Sequence, residues 1–425
     1  MLSALGIAFL VVGLMVSIAL HELGHLVPAK RFGVKVSEYF VGFGPTMWSR
    51  KRGETEYGVK AFPLGGYVRL VGMVPPTDAV KPLRIRGRLR DLIEDARAAS
   101  ESEIGEDDAL AFYHLAWWRK VIVMAGGPVV NLIIAVVLFT AIFSGIGVPT
   151  QTLTVGETLA CIPATGTSEC AATDPASPAS IAGIQAGDRF VSVDGVTFDK
   201  WSDLTAYVSA RPGVPLAIVV DRAGLLVNID LTPATKQRAL ADDPGKTETV
   251  GYMGVYSAQE RQRQPIGTGT SITGQIMGQT FAVVWNLPQQ LWHVARASVG
   301  LEERSQSSVM GLIGVGRAAG DVASSDVAGI GWVDKFQQEL LLLAQLNLAL
   351  FVFNTIPLVP LDGGHIASAI WQAIKNGWAR YRNAPRPAPV DVARMMPVAY
   401  GVFGILILMS LVLFFADIVA PVRVA

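Results

Sequence analysis

Charged residues are scarce in this sequence of 425 residues, of which Asp, Glu, Lys and Arg make up only 16%. Soluble proteins carry about a quarter of such residues, so the composition argues against a wholly soluble or disordered chain. Positive and negative residues also balance at 35 each, which leaves a formal net charge of zero. Proteins that bind nucleic acids usually have a basic surface, and a net charge of zero gives no sign of one. We therefore expect no nucleic-acid partner.

The missing charges are concentrated in four largely apolar stretches without Asp, Glu, Lys or Arg. They are Leu2–Leu20, Val121–Val148, Leu340–Leu361 and Met395–Ala416. Each is close to the ~20 residues that an apolar helix needs to cross a bilayer. A cleaved signal peptide is the alternative for the first stretch, but it lacks a positive n-region and an A-x-A-like site. The sequence therefore predicts a polytopic α-helical membrane protein with four transmembrane helices in a lipid bilayer.

Lys and Arg are distributed unevenly between these stretches. Residues 27–120 carry 16 of them and residues 362–394 carry 5, whereas the much longer range 149–339 carries 13. Because positive residues favour the cytoplasmic side, we place the first and third connections in the cytoplasm. Both termini and the middle region are then extracytoplasmic. The protein itself is predicted to lie in an inner or plasma membrane. Cys161 and Cys170 lie in this outer region. The sequence is compatible either with a disulfide between them or with two free thiols.

The composition of the connections predicts further segments. Between Ser37 and Gly72, short runs rich in Val, Tyr and Phe are separated by Gly and Pro, which indicates a β segment. Four spans are predicted, over 1–27, 120–148, 337–361 and 395–417. Between the first two lies a cytoplasmic-side, membrane-associated β-hairpin segment with a charged helical linker, over 28–119. An extracytoplasmic α/β module over 149–263 and an extracytoplasmic amphipathic or interfacial region over 264–336 follow the second span, and a cytoplasmic loop over 362–394 follows the third.

The outer module has strand-like patterns at Arg189–Val193, Leu216–Val220 and Leu225–Leu231, with a short helix at Trp201–Ala210. The sequence from Ser177 to Gly195 resembles that of PDZ domains, which bind extended peptides or C-termini by adding a strand to a sheet. The expectation is a PDZ-like module that binds a peptide or a C-terminus. The alternative is a β module that packs against the membrane region and binds nothing.

A possible metal site lies at the end of the first span, in the sequence His21–Glu22–Leu23–Gly24–His25. Histidines at i and i+4 lie on one face of a helix, the spacing at which two imidazoles bind one zinc ion. Glu22 is placed to act on water as a general base. The motif alone is weak, but here three ionisable residues follow 19 uncharged ones, and such residues at a membrane span are usually functional.

A third ligand is predicted from topology. The first and third spans run in the same direction, so the residue after Leu361 emerges at the same depth as the residue after Leu20, and that residue is Asp362. Two prolines precede Asp362 and two glycines follow it, which favours a broken helix and a close backbone approach. Asp362 as a simple helix cap is the alternative. Among the other histidines, His365 is the candidate worth testing, ahead of His114 and His293.

Together these motifs resemble the site-2 protease family of intramembrane zinc metalloproteases, of the regulator of sigma-E protease type. The resemblance covers most of the chain and includes HELGH at His21–His25, PLGGYV at Pro63–Val68, GGP at Gly126–Pro128 with Asn131–Leu132, and N-x-x-P-x-x-P-L-D-G-G at Asn354–Gly364. It implies that Zn²⁺ is the cofactor, that His21, His25 and Asp362 are its ligands, that Glu22 is the catalytic carboxylate, and that Asn354, Gly65 and Gly66 contact substrate.

The resemblance also implies a substrate and a regulatory role. The β-hairpin would pair with an unwound substrate strand, and the PDZ-like region would admit only substrates whose outer domain is already trimmed. Such substrates are single-span proteins, typically anti-sigma factors, cut close to the cytoplasmic face. The chain departs from many relatives in having room for one PDZ module rather than two, and its Ser308–Gly316 stretch replaces their G-P-I-G.

Two other classes of function use the same residues. A membrane metal transporter or sensor would bind its ion at the two histidines and Asp362. A catalytically silent scaffold would capture peptides through the PDZ-like module. Glu22 distinguishes these alternatives, because hydrolysis needs a carboxylate that does not bind the metal whereas transport and scaffolding do not.

Overall fold

The structure is a computed structural model. It describes residues 2–80, 82, 87–105, 108–162, 170, 174–239, 247–302, 304, 308–324, 331–385 and 387–420. The chain divides into two compact units. The first combines Met1–Ile146 with Pro265–Ala425, and the second is Gly147–Gln264.

Helices dominate the first unit and strands the second. The helices within the described ranges are α1 (Leu2–Arg31), α2 (Arg88–Ile104), α3 (Trp117–Thr140), α4 (Pro178–Ile181), α5 (Trp201–Ser209), α6 (Gly267–Trp285), α7 (Leu287–Ser298), α8 (Leu312–Ser324), α9 (Trp332–Thr355), α10 (Asp362–Tyr381) and α11 (Met396–Val419). The strands are β1 (Val36–Arg52), β2 (Thr55–Leu70), β3 (Val148–Thr158), β4 (Arg189–Val193), β5 (Leu216–Arg222), β6 (Leu225–Leu231), β7 (Ala234–Ala239), β8 (Thr247–Tyr252) and β9 (Val255–Gln262).

Four helical segments are long and apolar enough to cross a membrane. They are Ala4–Arg31, Trp117–Ile146, Trp332–Thr355 and Val392–Val419. They correspond to the four uncharged stretches of the sequence and fit a multi-pass membrane protein. The first helix continues past the predicted boundary at residue 27, so the HELGH sequence lies inside a continuous helix. It ends where Gly33 adopts a positive φ of 81°, a conformation that favours glycine at a helix C-terminus.

The third span, predicted over 337–361 with a helix broken at its prolines, is helical only as far as Thr355. Helix α9 ends at Thr355, six non-helical residues follow, and α10 then runs from Asp362 to Tyr381 where a loop was expected. Pro357 and Pro360 explain the break, because proline has no N–H to donate and disfavours a helical residue before it. Absence of charge indicates compatibility with a membrane, but it does not indicate where a helix is continuous.

The β segment is a folded hairpin of two long strands. Residues 36–41 pair with 66–70, residues 46–52 pair with 55–60, and residues 38–41 also lie beside 56–59. The hairpin is therefore folded into four adjacent strand segments, with 66–70 at one edge. Tyr39 fixes this sheet to α1 by donating its hydroxyl to the carbonyl of Ala19 at 2.7 Å. Burial raises the pKa of Tyr39 to about 12, so the phenol remains a donor at neutral pH.

The region after Gln264, predicted as amphipathic or interfacial, begins with the two helices α6 and α7. Helices α6 and α7 meet at Asn286, and Pro288 lies in the first turn of α7. Ile272, Ile276 and Met277 of α6 pack against a core formed by α3 and α9, whereas Trp285 is exposed. One side of α6 thus belongs to the helical bundle.

A buried ion pair joins α11 to the segment that precedes α8. Arg304 donates to Asp417 at 2.9 Å, and both side chains are almost fully buried. The Gly314 N–H donates to the other oxygen of the same carboxylate at 2.8 Å. A Cβ at Gly314 would lie 2.9 Å from both oxygens of Asp417. Gly314, within the stretch 308–316, must therefore be a glycine, because the carboxylate of Asp417 leaves no room for a side chain.

The second unit is built on a five-stranded sheet with the order β6-β5-β4-β3-β9, and β7 pairs with β8. Its core includes Phe190, Leu204, Ile218 and Val220, which come from β4, α5 and β5. The strands predicted at Arg189–Val193 and Leu225–Leu231 are present. Cys161 and Cys170 form a disulfide, and residues 163–169 between them lie outside the described ranges.

An ion pair holds the turn before β4 to the end of β5. Nε and Nη2 of Arg222 donate to the two carboxylate oxygens of Asp188, both at 2.7 Å. The N–H of Gln185 donates to the same carboxylate at 2.8 Å. These hydrogen bonds, above all those from Arg222, hold the pKa of Asp188 below its usual value. The side chain of Asp188 is 1% exposed, so its loss would remove a buried acceptor shared by Arg222 and the N–H of Gln185.

We therefore expect Asp188→Asn to lower the free energy of opening of the β4–β5 region by about 2–3 kcal/mol at neutral pH. Because the pKa of Asp188 is lower in the folded than in the unfolded state, its stabilisation is complete above the unfolded-state pKa of about 4 and is lost as the pH falls through the folded-state pKa. Hydrogen exchange on the full-length protein in detergent measures this. The exposed Asp199→Asn is the matched control, and equal protection in the two variants would contradict the prediction.

Candidate zinc centre

Two imidazoles of α1 form the first part of the site. His21 and His25 are one helical turn apart, and their Nε2 atoms are separated by 3.3 Å. Nδ1 of His25 lies 2.8 Å from the carbonyl oxygen of Val123 in α3. A carbonyl oxygen only accepts hydrogen bonds, so Nδ1 of His25 carries the proton. Its Nε2 lone pair is therefore directed toward His21 and is available to a metal.

Asp362, the first residue of α10, completes a group of three possible ligands. Its Oδ2 lies 3.4 Å from Nε2 of His21 and 3.4 Å from Nε2 of His25. This oxygen is buried and has no hydrogen-bond partner among the described residues. The three residues are the group of possible metal ligands that the described part of the chain contains. The prediction from the direction of the spans thus grouped the same three residues that lie side by side in the structure.

The geometry of these three atoms fits zinc. Ligands about 2.0–2.1 Å from a tetrahedral zinc ion lie about 3.3–3.4 Å from one another, which matches the observed separations. Two imidazoles and one carboxylate are also a ligand set that zinc accepts, and they leave a fourth position for water or substrate. An unpaired buried carboxylate oxygen next to two imidazoles is costly unless a cation is bound there. The residues present therefore fit Zn²⁺.

Glu22 lies beside the ligands without belonging to their group. Its side chain is buried, and the backbone of Val68 in the hairpin is its hydrogen-bonding neighbour. A Cβ at Gly66 would lie 3.1 Å from Cγ of Glu22. The edge segment 66–70 therefore passes directly over the carboxylate.

The ligands open into one cavity of about 460 Å³. Its lining includes Gly65, Gly66 and Asn354, which the resemblance associated with substrate. His365 also lines this cavity but does not belong to the group of three ligands. The other two histidines are hydrogen-bonded to carboxylates elsewhere, His114 to Asp108 at 2.9 Å and His293 to Glu302 at 3.0 Å.

A close contact between α1 and α3 positions the imidazoles. A Cβ at Gly24 would overlap the carbonyl of Gly126, and a Cβ at Gly126 would overlap the carbonyl of Gly24. The two helix backbones are therefore in direct contact, as small residues permit. The next residue, Gly127, faces both histidine rings. Sequence reasoning assigned no role to these glycines, although two adjacent glycines within an apolar span were a usable signal.

Comparison with known proteins identifies the family. The sequence profile described as Peptidase family M50 matches residues 9–395. The chain belongs to peptidase family M50. It is 31% identical over 439 residues to zinc metalloprotease Rip1 of Mycobacterium tuberculosis, which covers 100% of this chain and 99% of that protein. The corresponding protein of Mycolicibacterium smegmatis is 31% identical over 440 residues, covering 100% of both.

A more distant relative is metalloprotease MmpA of Caulobacter vibrioides, 28% identical over 378 residues, which covers 85% of each chain. Membership of the M50 family confirms the predicted resemblance to site-2 proteases. The chain is a zinc metalloendopeptidase with membrane-spanning helices, and Zn²⁺ is its cofactor. Among the three functions considered from the sequence, the protease is the one that this membership supports.

We expect Gly127→Ala to weaken zinc binding about 10- to 100-fold, the range typical of changes next to metal ligands. The added methyl would overlap Nε2 of His25 and lie 2.7 Å from Nε2 of His21, so both imidazoles must move. Metal analysis of the purified protein during titration with a zinc chelator measures the effect. Gly145→Ala is the matched control, because a Cβ there meets no atom within 4 Å. Equal zinc affinity in the two variants would refute this account of Gly127.

Proposed function

We propose that the protein is an intramembrane endopeptidase that cleaves the transmembrane segment of single-span membrane proteins, such as a pre-trimmed anti-sigma factor. The observation that carries the proposal is the position of the ligand group. His21 and His25 lie within the apolar segment Ala4–Arg31, and Asp362 begins the helix that follows the third apolar segment. A protease site built on such helices is placed to act on a peptide bond inside the bilayer.

The proposed roles follow from the geometry. His21, His25 and Asp362 would hold the zinc ion, which supplies a Lewis acid for the peptide carbonyl and makes water a stronger nucleophile near neutral pH. The Glu22 carboxylate takes a proton from the attacking water and passes it to the nitrogen of the leaving amine. Glu22 has the freedom to do so because its side chain is outside the ligand group.

A substrate helix must unwind before its peptide bonds become accessible, since a helix in lipid keeps its backbone hydrogen bonds internal. The hairpin offers partners for the unwound segment. Residues 66–70 pair with 36–41 on one side only among the described residues, and they pass over Glu22. Gly65 and Gly66 carry no side chain that would block a second strand. Asn354, in the last turn of α9, lines the same cavity and is proposed to help position the substrate.

The proposed orientation places both termini and the second unit outside, and the site toward the cytoplasmic face. Clusters of aromatic and basic residues support this orientation. One is at the start of α3, with Trp117, Trp118 and Arg119, and the other is at the end of α10, with Trp378 and Arg380. Such clusters are typical of the membrane interface, and Lys and Arg favour the cytoplasmic side. The second unit is proposed to be a PDZ-like domain that binds a peptide or C-terminus, or filters substrates by size.

The catalytic proposal is tested with a single-span protein whose outer domain is truncated, incubated with the reconstituted enzyme. We expect Glu22→Gln to lower the cleavage rate at least about 100-fold while zinc remains bound, because the base is lost but the ligands are not. Asp362→Ala is expected to lose both cleavage and zinc. The exposed Glu54→Gln is the matched control. Cleavage by Glu22→Gln at the wild-type rate would rule out the role given to this carboxylate.

The orientation is tested by labelling single cysteines in intact cells. In a variant whose native cysteines are replaced by serine, a membrane-impermeant maleimide should react with Asp199→Cys in the second unit. It should react with Glu54→Cys in the hairpin only after the cells are opened. Both side chains are exposed, so access to the reagent is limited by the membrane alone. The reverse pattern would show that the topology is inverted.

A further inference from the structure

One buried amide in the cavity has no explanation in the roles assigned so far. Asn131 of α3 is 0% exposed, and neither its Nδ2 nor its Oδ1 has a hydrogen-bond partner within the described residues. Leaving a buried amide unpaired costs about 1–3 kcal/mol for each group. Buried polar groups in proteins are almost always paired, so an amide kept in this state calls for a reason.

A second buried asparagine shows what a structural amide looks like in the same bundle. Asn347 of α9 is also 0% exposed. Its Nδ2 donates to Oγ of Ser17 at 3.0 Å and to the carbonyl of Leu343 at 2.8 Å. The bond to Ser17 joins α9 to α1, and the bond to Leu343 lies within α9. Oδ1 of Asn347 has no partner among the described residues. Asn131 makes no comparable bond within the described part of the chain, so its amide does not serve to hold helices together.

The position of Asn131 relates it to the zinc ligands. It follows Gly127 by four residues on α3, so the two lie on the same helix face, about 6 Å apart along the axis. Gly127 faces the rings of His21 and His25. Asn131 lines the same cavity as these histidines, together with Ile18 and Asn354. Asn131 therefore borders the space next to the candidate zinc centre.

An unwound peptide segment is the ligand whose chemistry matches this amide. Each peptide unit taken out of a helix exposes an N–H donor and a C=O acceptor, and leaving them unpaired in an apolar medium costs several kcal/mol, roughly 2–7 for each group. A primary amide offers a donor at Nδ2 and an acceptor at Oδ1, so it complements a peptide unit. Gly66 at the hairpin edge and Asn131 both line the cavity.

We propose that Asn131 binds the backbone of the unwound substrate next to the bond that is cut, with Nδ2 donating to a substrate carbonyl and Oδ1 accepting from a substrate N–H. This rests on the proposed function, whose substrate-binding residues it extends. The free donor and acceptor of Asn131 then become paired when substrate is bound. Because the ligand is the peptide backbone, this contact recognises an unwound segment irrespective of its side chains.

The test compares Asn131→Leu with Asn347→Leu in the full-length enzyme. Asn131→Leu replaces an unpaired amide with an apolar side chain of similar size, so we expect zinc content and thermal stability to be maintained or stability to rise. Cleavage of the truncated single-span substrate should fall about 10- to 100-fold, as for loss of one or two hydrogen bonds to substrate. Asn347→Leu should lower thermal stability and leave cleavage by the folded, zinc-loaded fraction close to wild type.

Substrate capture provides a readout independent of turnover. In the Glu22→Gln background, the fraction of tagged substrate that copurifies should fall about tenfold or more when Asn131→Leu is added, and should not change when Asn347→Leu is added. Unchanged capture, or loss of zinc and stability together in Asn131→Leu, would overturn the inference. If wild-type protein fails to cleave while capture depends on Asn131, the proposed reaction is wrong and the binding role stands. If neither cleavage nor capture occurs, both are wrong.

Discussion

The backbone contact between α1 and α3 at Gly24 and Gly126 is the constraint on which the site depends. It brings the carbonyl of Val123 to His25, which fixes the imidazole tautomer, and it places Gly127 against both rings. Any side chain at the crossing would separate the helices and move the histidines away from Asp362. The small residues of the two spans therefore determine the metal geometry as much as the ligands do.

Several polar groups near this crossing are buried without partners. Oδ2 of Asp362, Nδ1 of His21 and both amide atoms of Asn131 have none within the described chain. Such groups oppose folding, and the helices that carry them are stabilised by apolar clusters on either side, such as Leu26 with Val123 and Phe139 with Leu348. Enzymes commonly keep a polar, preorganised site inside an apolar interior, and the polar groups of such a site lower the stability of the folded protein.

Much of the site could be predicted from the sequence because its signals are local. The i, i+4 spacing of His21 and His25 requires only a helix, and the direction of the spans was enough to pair them with Asp362. Pro357 and Pro360 predicted the interruption after α9. The helix α10 was anticipated only by the alternative that Asp362 caps a helix, and its extent to Tyr381 falls in a range predicted as a loop. The glycine crossing, the unpaired Asn131 and the Arg304–Asp417 pair depend on residues far apart in the chain. Sequence patterns do not report such contacts.

The break between α9 and α10 has a consequence for the fold as well as for the chemistry. Asp362 begins a helix that follows α9 after six non-helical residues, whereas His21 and His25 lie near the other end of the chain. Ligation by all three residues, as proposed, would close a loop of about 340 residues, and a link of that length removes much conformational freedom from the unfolded chain. Zinc held by these three residues would therefore stabilise the folded state of the chain as well as serve the reaction.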